Sequence, residues 1–189
     1  MKKVVVAITG ASGMIYAQRL LSKLKNEKMK AQISEVAVIL SQNVRGIWRN
    51  EIEDGIIEDF GFPVYKNNNF YVPFASGSSA YDVMIIIPCS MGTLGRIAAG
   101  VSESLIGRVA DVMFKERKRI LFVTREMPFN LIHINNMKTV TEAGGIVCPA
   151  SPTFYNTPHT ITELVDTVVE RVIDLAGFDQ NAKRWKVSD

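Results

Sequence analysis

Hydroxyl side chains recur beside glycines at places where an apolar run gives way to a helical pattern. The first is Gly10, Ala11, Ser12 and Gly13, directly after Val4–Thr9. Glycine lets the backbone turn sharply and approach a ligand, and the helix that follows offers free N–H groups and a positive dipole end. That combination suits a phosphate. The segment is not a GxGxxG, so a plain tight turn stays an equal reading, and Ser12 is either a helix cap or a ligand contact. The second place is Ser41 after Leu40, and the third runs through Pro88, Cys89, Ser90, Met91, Gly92 and Thr93. Ser90 alone reads as readily as a helix cap. Three such turns on one sheet edge point together to a phosphate-bearing planar cofactor. Cys89 reads as core rather than nucleophile, because the histidines, His133 and His159, occupy other segments.

A charged pair leaves a fourth apolar run: Arg125 and Glu126 follow Ile120–Thr124, and Pro128 fixes the turn. Catalysis and a structural ion pair at the sheet edge both fit. Arg108 and Lys115 are seven residues apart and so share a helix face. The basic stretch Lys115–Arg119 is also what a helix C-terminus favours without any function. Pro152 and Pro158 stiffen a loop bearing Phe154 and Tyr155, and Arg171 sits midway along a Val-rich helix where an exposed face could hold it. Trp185 lies in a basic tail, a position suited to docking on a neighbouring subunit. No DDxxD is present, and Glu53, Asp54, Glu58 and Asp59 read as solvated surface, so no metal is expected.

The elements that must position these groups alternate along the chain. Val4–Thr9, Val36–Leu40, Val83–Ile87, Ile120–Thr124 and Ile146–Cys148 read as strands, the third stopped by Pro88. Helical spacing begins at Met14 and returns over Ser41–Asn50, Thr93–Ala99, Leu105–Lys115 and Ile132–Ala143. A last helix follows Thr160, which can cap it with Glu163 answering, and Ile161, Leu164, Val165, Val168 and Val172 make its buried stripe. Gly61–Ala80 reads as a long loop over the sheet. Continuously apolar strands between helices predict a parallel sheet covered on both faces, a doubly wound α/β domain of Rossmann or flavodoxin type. Its ligands bind beyond the carboxyl ends of the strands, where the hydroxyls and charges above fall.

At 189 residues the chain suits one domain, 1–189, with about 179–189 as a docking extension. Its 47% apolar and 22% charged residues exclude disorder and coiled coil. A net charge of +3 is too small to make nucleic acid or membrane the main partner. The longest apolar run, Val83–Cys89, falls far short of a bilayer span, and the stretch after Lys2 and Lys3 is too short for a signal peptide. Two cysteines without a CxxC fit a reducing cytoplasm.

In combination, Gly10–Gly13, Ala75–Ser78, Pro88–Leu94, Ala110–Val112, Lys115–Arg117, Arg125-Glu126-x-Pro128 and Pro152-x-Phe154-Tyr155 resemble the UbiX-type flavin prenyltransferases, from about residue 3 to 178. The resemblance implies FMN, reduced when it accepts the prenyl group, bound by Gly10, Ala11, Ser12, Gly13, Ser41, Ser90, Met91, Gly92, Thr93 and Arg125. It implies dimethylallyl monophosphate held by Arg108, Lys115, Arg125, Tyr155 and Arg171, with Trp185 in the same substrate-binding set. Ser12, Glu51, Lys115 and Glu126 are its implied catalytic groups. It further implies a homo-dodecamer and a UbiD-type decarboxylase as recipient of the prenylated FMN. Gln42, Asn43 and Val44 depart from the usual Lys-Ala-Ala, and Gly95 and Arg96 from the small residues common there. Two rivals are an FMN-dependent cysteine decarboxylase and a non-catalytic flavin carrier. Against the first, Tyr16 and Gln18 stand in the first helix where that branch expects a histidine.

Overall fold

The structure, a computed structural model, describes residues 1–53 and 55–180. Among them, six parallel strands form one sheet: β1 (Lys2–Ile8), β2 (Ile33–Leu40), β3 (Val64–Lys66), β4 (Val83–Cys89), β5 (Arg119–Thr124) and β6 (Ile146–Val147). Their spatial order is β3-β2-β1-β4-β5-β6, with every neighbour parallel. The chain winds outward from β1 to β3, then returns to place β4 on the other side of β1. The sheet order thus reverses between β1 and β4, where the two diverging crossovers leave a crevice at the carboxyl edge.

Among the described residues seven α-helices cover the two faces: α1 (Met14–Leu24), α2 (Glu27–Lys30), α3 (Val44–Glu51), α4 (Met91–Ala98), α5 (Leu105–Lys115), α6 (Leu131–Glu142) and α7 (Ile161–Leu175). Because side chains alternate along a strand, Val4, Val6 and Ile8 meet Leu20, Leu21, Val168 and Val172 on one face. Val5 and Ala7 meet Leu94, Leu105 and Val109 on the other. All five of Val4–Ile8 are fully buried, as the absence of polar alternation predicts.

The differences from expectation are local. Gly61–Ala80 contains β3, a short edge strand paired to Val38–Leu40. Its single strongly apolar residue, Val64, is too little signal for a period-2 pattern. The remainder of that excursion is pinned by Phe74, 1% exposed, whose ring meets Tyr65 and Tyr81 edge-on. Pro88 does not stop β4, which runs on to Cys89 through a register irregularity against β5. Helix α3 begins at Val44 rather than Ser41. Ile161 is 72% exposed and outside the α7 stripe, which is Val165, Val168, Val169, Val172 and Ile173. Thr160 does cap α7, accepting from the Glu163 N–H at 3.1 Å, while Glu163 reaches back to the His159 N–H. Among the described residues no helix is long and apolar enough to cross a membrane.

Candidate functional site

The turn after β1 is held from a distance. Gly13 precedes α1 at φ +106°, a left-handed conformation that side chains rarely adopt, and no side chain of the turn itself caps the helix. Glu51 at the end of α3 does so instead. Its Oε2 accepts from the N–H groups of both Gly13 and Met14 at 2.8 Å. Burial works to raise the Glu51 pKa, but these two bonds, a hydrogen bond from Ser12 and the charge of Arg125 together bring it below the usual value. Arg125 closes the cluster from β5: its Nε donates to the Ser12 carbonyl at 2.9 Å. Ser12, Glu51 and Arg125, from three separate segments, therefore converge at one strand exit. Beside them the Tyr16 ring faces Gly13, its phenol pKa raised by burial against the opposing pull of Arg125.

This arrangement alters the role expected of the α1 terminus. Its first N–H groups are already engaged by a carboxylate, so a phosphate placed there would meet negative charge.

The exits of β1, β2 and β4 meet alongside. The Ser41 N–H donates to the Ile8 carbonyl at 3.0 Å. Thr9 stitches β1 to β4: its hydroxyl donates to the Pro88 carbonyl and accepts from the Ser90 N–H, both at 2.8 Å. Ser90 caps α4 through the Thr93 N–H and donates its own hydroxyl to that of Thr93 at 3.0 Å. Together Gly10, Ser41, Ser90, Thr93, Arg96 and Glu103 border a polar cleft of about 390 Å³. A larger cavity of about 820 Å³ adjoins it through Ser41 and Ser104, running over the ends of β2 and β3 towards Tyr65 and Lys66. The smaller cleft is the better cofactor candidate, because all three hydroxyl-bearing turns reach it. Ala11 and Met91, also expected at the cofactor, are 7% and 5% exposed and belong to the core; Gly92 lies open on α4.

The remaining expected residues are spread more widely. Glu126 is exposed and accepts from the Met127 N–H at 3.1 Å. Tyr155 is about half exposed, and Arg171 stands on the exposed side of α7. The Arg171 charge offsets part of the rise that burial imposes on the Cys148 thiol at the end of β6. Cys89, by contrast, is fully buried with its pKa pushed up to about 12, as a core cysteine should be. Arg108 donates to the Ala75 carbonyl at 3.2 Å and faces Asp111. Lys115 is about 10 Å further along α5, towards the amino edge of the sheet, with Glu116 at 3.8 Å. A single chain thus gathers Ser12, Glu51 and Arg125, with Ser41, Ser90 and Thr93 next to them, but not Lys115. Trp185 lies outside the described residues.

Three participants were not singled out as site residues from sequence: Thr9, Tyr16 and Arg96. A polar residue closing an otherwise apolar strand was the available signal for Thr9, and Arg96, one helical turn after Gly92, for the cleft.

The sequence profile of the family named Flavoprotein matches residues 1–173. The flavin prenyltransferase UbiX of Methanocaldococcus jannaschii is 42% identical over 186 residues, which is 97% of this chain and 98% of that protein. The UbiX of Pseudomonas aeruginosa is 35% identical across 97% of this chain and 94% of its own. Among solved structures, AnUbiX (PadA1) in complex with FMN and dimethylallyl pyrophosphate superposes with a TM-score of 0.91 at 34% identity, covering 100% of this chain and 99% of that one. The dodecameric FMN-dependent UbiX-like decarboxylase from Escherichia coli O157:H7 gives 0.91 and 34% over 98% and 100%. The peptidyl-cysteine decarboxylase EpiD, at 0.63 and 17%, shares the fold alone.

Proposed function

The chain belongs to the flavoprotein family, among relatives that are UbiX flavin prenyltransferases, and from that premise we infer that it is itself a flavin prenyltransferase. It joins a dimethylallyl group to N5 and C6 of reduced FMN. The observation that carries this reading is the Ser12–Glu51–Arg125 cluster set at the crevice between β1 and β4, beside a cleft lined by the hydroxyls of Ser41, Ser90, Thr93 and Ser104.

That donor set fits FMN: hydroxyls and one guanidinium around a polar cleft suit a phosphate and ribityl chain, and Gly10 brings backbone to its wall without a side chain. Gly10–Gly13, Ser41, Ser90–Thr93 and Arg125 would hold the cofactor, with Ala11 and Met91 contributing through backbone. When bound, reduced flavin supplies the nucleophilic atoms.

The protein's own task is to manage charge and protons. Breaking the carbon–oxygen bond of dimethylallyl monophosphate leaves a phosphate whose charge must be met as it develops. Arg108, Lys115, Arg125 and Arg171 with the Tyr155 hydroxyl would meet it by charge-assisted hydrogen bonds, a means that needs no metal. Glu51, anionic and hydrogen-bonded by Ser12, orients the Ser12 hydroxyl for proton transfer at N5; its depressed pKa suits it to orienting more than to taking the proton itself. Glu126, exposed just beyond β5, would exchange the proton at C6.

Since Lys115 stands apart from the cluster within one chain, the reading includes a homo-oligomer, a dodecamer like the E. coli O157:H7 structure. The proposal extends to a cytoplasmic setting, one flavoprotein domain over residues 1–189 with a docking tail from about 179, and a UbiD-type decarboxylase that receives the product.

Incubating the protein with reduced FMN and dimethylallyl monophosphate should increase the flavin's mass by one dimethylallyl unit. Unmodified flavin would overturn the activity. Glu126→Ala separates enzyme from carrier: turnover should collapse while bound FMN remains, whereas a carrier would lose nothing.

A further inference from the structure

Helix α4 carries in its last turn a cation whose guanidinium lies towards the start of the helix. Arg96 lies in the last turn of α4, where a positive side chain is favoured near the C-terminal carbonyls. Its guanidinium instead lies back along the helix, next to Gly92 one turn earlier: a Cβ at Gly92 would sit 3.7 Å from Nη1 and 4.0 Å from Nη2. That is the direction in which helical side chains project, and Gly92 leaves the space open. The group thereby borders the cleft shared by Gly10, Ser41, Ser90 and Thr93.

Arg96 brings the one cationic side chain to the lining of that cleft, opposite a single carboxylate, Glu103. No ion pair holds Arg96 among the described residues, and Glu103 is exposed and free to turn to solvent. Of the two cations of the adjoining cavity, Arg45 is already paired with Glu58, and Lys66 borders that cavity and not this cleft. The α1 terminus is closed to an anion by the Glu51 carboxylate. A flavin phosphate therefore has its favourable electrostatic partner on the α4 side of the crevice.

We propose that Arg96 is a specificity residue for the 5′-phosphate of FMN, donating to the phosphate oxygens from the wall of the cleft and so selecting FMN over riboflavin. The proposal rests on the flavin-binding reading above. A guanidinium matches phosphate geometry with two parallel donors, which a hydroxyl-only cleft lacks.

The test uses the full chain freed of flavin, titrated with FMN and with riboflavin by flavin fluorescence, for the wild type, Arg96→Met and Arg96→Lys. Arg96→Met should weaken FMN on the order of 10- to 100-fold while riboflavin binding stays unchanged, the loss expected for one charge-assisted contact. Arg96→Lys should recover part of the preference, because it restores the charge but not the fork. If Arg96→Met keeps the wild-type preference for FMN, the assignment of Arg96 is overturned and the flavin reading stands. Equal weakening of FMN and riboflavin likewise overturns it, since Arg96 would then shape the cleft rather than bind phosphate. A wild-type chain that binds neither flavin overturns both.

Discussion

The two helical layers that sandwich the sheet are finished to different degrees. On one side α1 and α7 lie together along a charged seam: Asp166 receives two bonds from Arg19 at 2.8 Å and a Lys23 ammonium at 3.1 Å, and Lys23 also meets Glu170. Five residues of α7 are buried there. On the other side α6 buries only Val140 and leaves Leu131, Ile132 and Ile134 at 70%, 69% and 50% exposure, continuous with Met127 at 85%. Contiguous exposed apolar stretches of that kind are what protein–protein contact surfaces carry. The same segment begins at Arg125 and Glu126, so the unfinished layer is also where two of the proposed site residues emerge. The α1–α7 layer is closed by the chain's own contacts, whereas the α6 face is left open, and in the proposed assembly a second copy covers it.

The largest effect should come from spoiling the open face. Ile132→Asp is nearly neutral in an isolated chain but would bury a carboxylate between copies, at a cost of several kcal/mol. Light scattering should show the assembly reduced to smaller species, with the melting temperature lowered to that of the unassembled chain. An assembly of unaltered mass would return this face to solvent.

Arg171 tests the sealed layer from its outer side. Its position on α7 makes it dispensable for folding, yet it belongs to the proposed phosphate set. Arg171→Ala should retain FMN and lose roughly 100-fold in prenyl transfer, about 3 kcal/mol for one charge-assisted contact in a desolvated site. Full turnover in that variant would leave the residue a surface charge.

Glu51 links the layers' shared edge, and its effect should be smaller. Glu51→Gln should cost about 1 kcal/mol of stability at neutral pH by weakening the cap on α1. The folded pKa lies below the ordinary value of 4.5, so the contribution is present above that value and lost as pH falls through the lower folded one. Melting curves of wild type and variant should therefore converge in acid. A gap that persists unchanged below that range would assign the stabilisation to packing rather than charge.

Excess EDTA should produce no effect at all. Four basic side chains and a phenol are matched to a monophosphate and disfavour a divalent cation beside them. Turnover that falls with EDTA and returns with Mg²⁺ would remove the proposed phosphate cradle.

Much of the fold was legible because its signals are local. Unbroken apolar runs announce strands buried on both faces, and Leu105–Lys115 forms the helix its spacing predicts, residue for residue. The last strand at Ile146 and the capped start of α7 were equally readable. So were the hydroxyls at three turns and the Arg125–Glu126 pair, since a parallel sheet collects every strand exit on one edge. What sequence could not determine depends on docking angles between distant segments. Glu51 reaches N–H groups 37 and 38 residues away because α3 lies against α1, and no local pattern encodes that contact. Arg96 looks like an ordinary helix-end cation until α4 is set beside the turns of β1 and β2 and the guanidinium is seen to border their shared cleft. Periodicity marks the face of a helix that wants burial. Only the assembled layers decide whether the chain itself covers that face, as it does for α7, or leaves it open, as on α6.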